Sequence, residues 1–223
     1  MTFSIVARCA STGQFGIAIS SSSPAVAARC AHVRAGVGAV ASQNVTDPAL
    51  GPLLLDALAG GKSANLALSE TVLGRAHIDY RQLLVVDATG DTAIHSGAQV
   101  LGLWGQARGT DCAAGGNLLA DPSIPAVMVA AFAAALGHLG DRLILALEAG
   151  LAAGGEAGPV RSAGLKIADR LSWPLVDLRM DWADDPIGML RTAWDVYRPQ
   201  MTAYVQRATD PTQAPSYGVP GDA

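Results

Sequence analysis

Apolar positions crowd the first strand-like run, Thr2–Ala7. They fall on both of its faces, as in a sheet covered on two sides. A second run rich in β-formers follows at Gly16–Ser21. The intervening Cys-Ala-Ser-Thr-Gly-Gln-Phe supplies turn chemistry around Gly13, so the two runs form a hairpin. Pro-Ala-Val-Ala-Ala-Arg-Cys-Ala-His-Val then patterns as a helix, with Ser23 as N-cap and Pro24 at its first position. Small residues fill a third strand in Arg-Ala-Gly-Val-Gly-Ala-Val-Ala-Ser-Gln-Asn-Val. Leu53–Ala59 is a helix closed by Gly60-Gly61, and Ser63 caps another through Leu73. Residues 80–97 form a hairpin turning at Asp87–Asp91. Asp111–Leu119 is a short Gly-rich strand or turn. Ser123–Leu136 and Gly140–Ala153 are Ala/Leu-rich helices broken at Gly137-His138. A glycine loop leads into a strand within 154–170, and Trp173–Asp181 is another strand. Asp185-Pro186 caps and opens a helix that Pro199 kinks or ends.

Helices thus come in pairs between antiparallel hairpins, not singly between parallel strands. That pattern favours an α+β, four-layer αββα sandwich with two mainly antiparallel sheets between helix layers, over a doubly wound sheet. With no internal repeat or linker, the expectation is one domain over 1–208. A Pro/Gly-rich extended arm follows over 209–223.

Composition narrows the partners. Half of the 223 residues are hydrophobic and only 15% are charged, so the chain folds around a sizeable core. The net charge is −4, and the only lysines, Lys62 and Lys166, form no basic cluster. This argues against nucleic acid or anionic membrane as partner. The longest charge-poor span, Pro122–Gly140, has an apolar centre short of the ~20 residues a bilayer requires, which points to a buried helix. The low charge and Ala/Gly-rich surface suggest a homo-oligomer. Cys9, Cys30 and Cys112 share no short spacing and read as reduced thiols. With no basic region and apolar stretch at the start, a cytoplasmic protein is expected.

Chemistry-bearing motifs are few. Gly36–Ala41 has the letters of a dinucleotide fingerprint but lies inside a strand-like run and opens no helix. A Walker-type loop, a His-Glu-x-x-His helix and a Gly-x-Ser-x-Gly elbow are absent, and His32, His77, His95 and His138 are scattered. No metal or cofactor is therefore expected. Ser20–Ser23 puts four hydroxyls where strand meets helix. Ser21 and Ser22 line a ligand pocket or serve the turn. Gln43 and Asn44 sit in a polar cluster, Ser42–Pro48, that either positions substrate or makes an Asx turn. Asn117, beside Gly115-Gly116, could form an oxyanion hole or a plain turn. Arg161 could bind a carboxylate or make a structural ion pair. Cys30 and His32, two apart on a helix, do not face each other, so Cys30 reads as a buried thiol.

Taken together, "MTFSIVAR", "TGQFGIAISSSSPAVAARCA", "RAGVGAVASQNVTDPALGPLLLDAL", "YRQLLVVDATG", "GGNLL", "AGLAAGGEAGPVRSAGL" and "PSYGVPGD" resemble the bacterial family catalogued as domain of unknown function 1028, in order and over essentially the whole chain. The resemblance implies an N-terminal nucleophile (Ntn) hydrolase-like αββα fold and an amidohydrolase acting on a small molecule. Where the family carries Asp after Ala-Arg, this chain has Cys9, which removes that position from a shared catalytic role. In such enzymes a Thr, Ser or Cys at the mature N-terminus attacks the amide, and its own α-amine, with a pKa of about 7.7–8.0, is the base. Thr2 is the residue that fits, with Asn117 as oxyanion donor and Ser21, Ser22, Gln43, Asn44 and Arg161 around the substrate. While Met1 is attached, Thr2 has an amide nitrogen and no free base. A plain strand role for Thr2, a binding or assembly protein that kept the fold without the chemistry, and a hydrolase using an internal side chain such as Ser22 or a bound metal stand as alternatives.

Overall fold

A computed structural model describes residues 1–219. Residues 220–223, the end of the expected arm, lie outside the described residues. Strands β1 (Thr2–Arg8) and β2 (Phe15–Ser21) form the expected antiparallel hairpin, with Phe3 opposite Ser20 and Arg8 opposite Phe15. Gly13 takes the left-handed conformation, φ 77°, that its turn requires. The chain then runs through α1 (Val26–Cys30), β3 (Ala31–Arg34), β4 (Gly38–Asn44), α2 (Leu50–Ala59), α3 (Ala64–Val72), β5 (Arg81–Asp87) and β6 (Thr92–Ser96). It continues with β7 (Gly105–Gly109), β8 (Cys112–Asn117), α4 (Ile124–Ala134), α5 (Leu139–Ala152), β9 (Ser162–Ala168), β10 (Val176–Met180), α6 (Pro186–Tyr197) and α7 (Met201–Thr209).

A six-stranded sheet has the order β10-β9-β2-β1-β8-β7, and a four-stranded sheet the order β3-β4-β5-β6. Every strand pairing within them is antiparallel. The sheets pack face to face. Helices α4, α5 and α6 cover the outer face of the larger sheet, while α2 and α3 cover that of the smaller. This is the αββα sandwich. Three apolar layers hold its four layers together. Phe3, Ile5 and Leu165 meet Met128, Leu143 and Leu147 under the first helix layer. Val6, Ile17 and Ile19 meet Ala41, Leu84 and Val86 between the sheets. Leu83 and Val85 meet Leu50, Leu54 and Leu68 under the second helix layer. The period-two alternation of β1 therefore serves two cores at once: Phe3, Ile5 and Ala7 point to the helices, and Val6 points to the other sheet. Each such fully buried Phe or Ile side chain contributes roughly 1.5–3 kcal/mol.

Several elements follow their local signals. Ser63 caps α3, its hydroxyl accepting from the Leu66 N–H, and Asp185 caps α6, accepting from the Gly188 N–H at 3.0 Å. The break between α4 and α5 falls at Gly137, φ 97°, and His138. Others depart from expectation. The helix expected over 24–33 is one short turn, because Ala25 adopts φ 51° and Ala31–Arg34 pair with β4 instead. Ser23 is not its cap. The Val26 N–H donates at 3.2 Å to the hydroxyl of Ser162, which reaches over from β9. Strand β7 has little strand propensity in Gly-Gln-Ala-Arg-Gly and owes its conformation to pairing with β8. Pro199 sits in a 3₁₀ turn, Arg198–Gln200, after which helix resumes as α7.

Candidate functional site

The inter-sheet layer is apolar along most of its length and polar at one end. Strands of both sheets converge there. Thr2 and Ser4 come from β1, Ser21 from the end of β2, Asn117 from the end of β8, and Gln43 and Gln82 from the facing β4 and β5. Alternation explains the set. Thr2 and Ser4 share a face with Val6, Ser21 with Ile19, Asn117 with Ala113, and Gln43 with Ala41. Thr2 is 5% exposed and stands directly opposite Asn117 in the β1–β8 pairing.

The Thr2 hydroxyl lies 3.3 Å from Ser21 Oγ. Both hydroxyls donate to the main-chain carbonyl of Met1, and the Ser23 N–H donates to Ser21 Oγ at 3.0 Å. Ser21 is thereby oriented: it accepts from a backbone amide and directs its own hydrogen at a carbonyl oxygen. Behind Thr2, Ser4 Oγ donates to Gln43 Oε1 at 2.6 Å. Gln43 Nε2 donates to Gln82 Oε1 at 2.9 Å and to the Gly115 carbonyl at 3.2 Å. Gln82 Nε2 faces Ser96 Oγ and the Gly105 and Gly116 carbonyls, which fixes its amide orientation. Gln82 Oε1 must then face inward, and Asn117 Nδ2 donates to it at 3.4 Å. Asn117 Oδ1 is left buried with no hydrogen-bond partner among the described residues.

Glu156, in the loop before β9, closes the site. It is 5% exposed and accepts from the Ser22 N–H at 3.0 and 3.2 Å. Burial pushes its carboxyl up from 4.5 to about 7, although the amino group of Met1 and the hydrogen bonds from Ser22 pull the other way. Glu156 was not among the expected residues. Its only sequence signal is that it is a lone acid amid Ala and Gly in Ala-Ala-Gly-Gly-Glu-Ala-Gly-Pro-Val. Gln82 and Ser4 were missed as well, because nothing in a strand's local pattern marks which inward polar residue has a partner.

The expected residues divide into two groups. Thr2, Ser21 and Asn117 meet around one niche, Gln43 joins through Ser4 and Gln82, and Ser22 joins through Glu156. Asn44 lies apart, at φ 73°. Its amide donates to the Tyr80 carbonyl at 2.6 Å and accepts from the Leu101 N–H, so it ties two loops together. The Arg161 main chain adjoins the site, donating to the Ser21 carbonyl at 2.8 Å. Its side chain pairs with Asp184 and lies over Trp182. In the Ser42–Pro48 segment, Asp47 makes the Asx-type bond, accepting from the Ala49 N–H at 3.1 Å. Cys30 is buried, and burial pushes its thiol pKa up. Among the described residues, no group of three or more His, Cys, Asp or Glu side chains could hold a metal ion.

The model of a family of unknown function (DUF1028) matches residues 2–190. The crystal structure of protein SPO2555 from Silicibacter pomeroyi, assigned to that same family, is similar to this chain. The TM-score is 0.82 and the identity 29%, covering 88% of each chain. A weaker likeness is to Anbu (ancestral beta-subunit) from Yersinia bercovieri. Its TM-score is 0.38 and its identity 15%, over 91% of this chain and 97% of that one. No curated protein matches this chain.

Proposed function

The chain belongs to the family of unknown function DUF1028, and from that premise we propose that it hydrolyses an amide bond of a small molecule with Thr2 as nucleophile. One observation carries the reading. The Thr2 hydroxyl is buried at the polar end of the inter-sheet layer, where a second hydroxyl, Ser21, is already aimed at a carbonyl oxygen.

Cleavage of the Met1–Thr2 bond would release an α-amine at Thr2 with a pKa of about 7.7–8.0, so a good share is a free base near neutral pH. That amine takes the Thr2 hydroxyl proton as Oγ1 bonds to the amide carbon. The carbonyl oxygen gains negative charge, and the hydrogen of Ser21, polarised by the Ser23 N–H behind it, stabilises that charge. The C–N bond breaks and the amine leaves with the proton. Water then attacks the Thr2 ester, releasing the acid and restoring the hydroxyl. Asn117 takes a different part from the donor suggested by its sequence context. With Nδ2 committed to Gln82, its free Oδ1 accepts from the Thr2 amine or from a substrate N–H.

Intact-mass measurement of purified protein is expected to show residue 1 absent and Thr2 first. Thr2→Ala should lower amide turnover by roughly 10³-fold or more with an unchanged circular dichroism spectrum. Normal turnover by the Thr2→Ala protein would end the proposal. A retained Met1 with ligand binding but no turnover would favour the binding-protein alternative.

A further inference from the structure

Met1 occupies the niche in a way that describes an acyl group. Its carbonyl oxygen accepts from Thr2 Oγ1 and Ser21 Oγ. The charge of its amino group bears on the buried Glu156 carboxyl. Its thioether end lies against Gly158, where a methyl group in place of the glycine hydrogen would stand 3.3 Å from Met1 Cε. Met1 is thus an α-ammonium acyl group attached to the nitrogen of Thr2. An acyl-enzyme would carry its acyl group on the oxygen of the same residue. The two attachment points are separated by two carbons and reach each other through a five-membered ring. A group held on one therefore lies close to where it would be held on the other.

We propose that the space filled by Met1 is the acyl subsite of the enzyme, and that it takes amides of α-amino acids with a free ammonium group and an unbranched apolar side chain. Glu156 pairs with the ammonium, and Gly158 leaves room for the side chain. This rests on the reading of Thr2 as nucleophile. The chemistry of the pocket favours it over a neutral acyl group. A carboxyl that is 5% exposed gives up its proton more readily with a positive charge nearby, and the hydrogen bonds from Ser22 supply no charge. An α-ammonium there would put a positive charge where that of Met1 acts on Glu156. A neutral acyl chain of the same shape leaves Glu156 either unpaired or protonated.

The test uses the full chain without residue 1 and compares L-methioninamide with 4-(methylthio)butanamide, the same acyl group lacking the ammonium. The expected kcat/KM ratio favours methioninamide by about tenfold or more. Glu156→Gln should bring the two within about threefold of each other, without loss of fold by circular dichroism. Gly158→Val should lower turnover of methioninamide while sparing glycinamide. Equal turnover of the first two amides by the wild-type chain would overturn the subsite and leave the Thr2 reading intact. If no amide is turned over, the Thr2 reading fails, and the subsite is read by calorimetric titration of the same two amides into the Thr2→Ala chain without residue 1. Methioninamide should bind about tenfold tighter or better. Equal affinities, or no binding of either, would overturn the subsite there too.

Discussion

Glu156 is a carboxyl that folding makes harder to ionise, and this has a measurable sign. Its folded pKa, about 7, exceeds its ordinary value of 4.5, so the folded state holds the proton over a range in which the unfolded state has lost it. Its contribution to stability is full below about pH 4.5 and falls as pH rises toward 7, by an amount on the order of 3 kcal/mol. Melting temperatures of the wild-type protein should therefore decline across that window more steeply than those of Glu156→Gln. Parallel curves would show that the carboxyl is not buried as described. The same residue marks what a one-dimensional pattern conceals. Thr2 could be singled out from its place at the head of a strand, and Ser21 from a run of hydroxyls at a strand end. Glu156 is a single acid among glycines, and its setting depends on Ser22, which bonds its carboxyl, and on Leu119, which its backbone bridges, both remote in sequence.

At the scale of elements, the site depends on how close α1 comes to β9. A methyl group on Gly164 would stand 2.3 Å from the Ala27 Cβ, and Ser162 on the same strand holds both the Val26 N–H and the Ser23 carbonyl. This contact locates the Ser21–Ser23 turn. Gly164→Ala should cost roughly 1–3 kcal/mol in urea unfolding and should lower the proposed amide turnover by displacing Ser21. An unchanged midpoint would mean that α1 moves aside freely. The contact also explains the shortness of α1. The helix expected over 24–33 was too brief for periodicity to separate helix from strand, and its last residues, from Ala31 on, pair with β4 instead. Where caps and breakers were strong, at Ser63, Gly137-His138 and Asp185-Pro186, local chemistry decided the element boundaries.

The whole molecule is a sandwich whose middle layer changes from apolar to polar along its length. Gln82 is the hinge of the polar end, since it bonds to Gln43, to Asn117, to Ser96 and to the carbonyls of Gly105 and Gly116. Gln82→Leu should destabilise the protein by roughly 2–4 kcal/mol, because several buried groups lose partners at once. It should also lower the proposed amide turnover, because Asn117 would no longer be held with Oδ1 facing the niche. A loss below ~1 kcal/mol by denaturant titration would show that water or rearrangement satisfies these groups. Among the described residues, no helix is long and apolar enough to cross a membrane.

From its sequence alone this protein's architecture was readable. Strand and helix periods, glycine and proline punctuation and the pairing of helices between hairpins are local properties, and together they admit few layer arrangements. The position of Thr2 at the head of β1 was readable for the same reason. The company Thr2 keeps was decided by tertiary structure. Which face of β1 meets the other sheet, which of several inward polar residues find partners, and which loop acid comes to rest beside Ser22 all depend on contacts between distant segments. Asn44 and Arg161 show the limit from the other side. Each has the right chemistry and lies next to the right strand, but their side chains are drawn to Tyr80 and Asp184, partners that only the folded chain brings within reach.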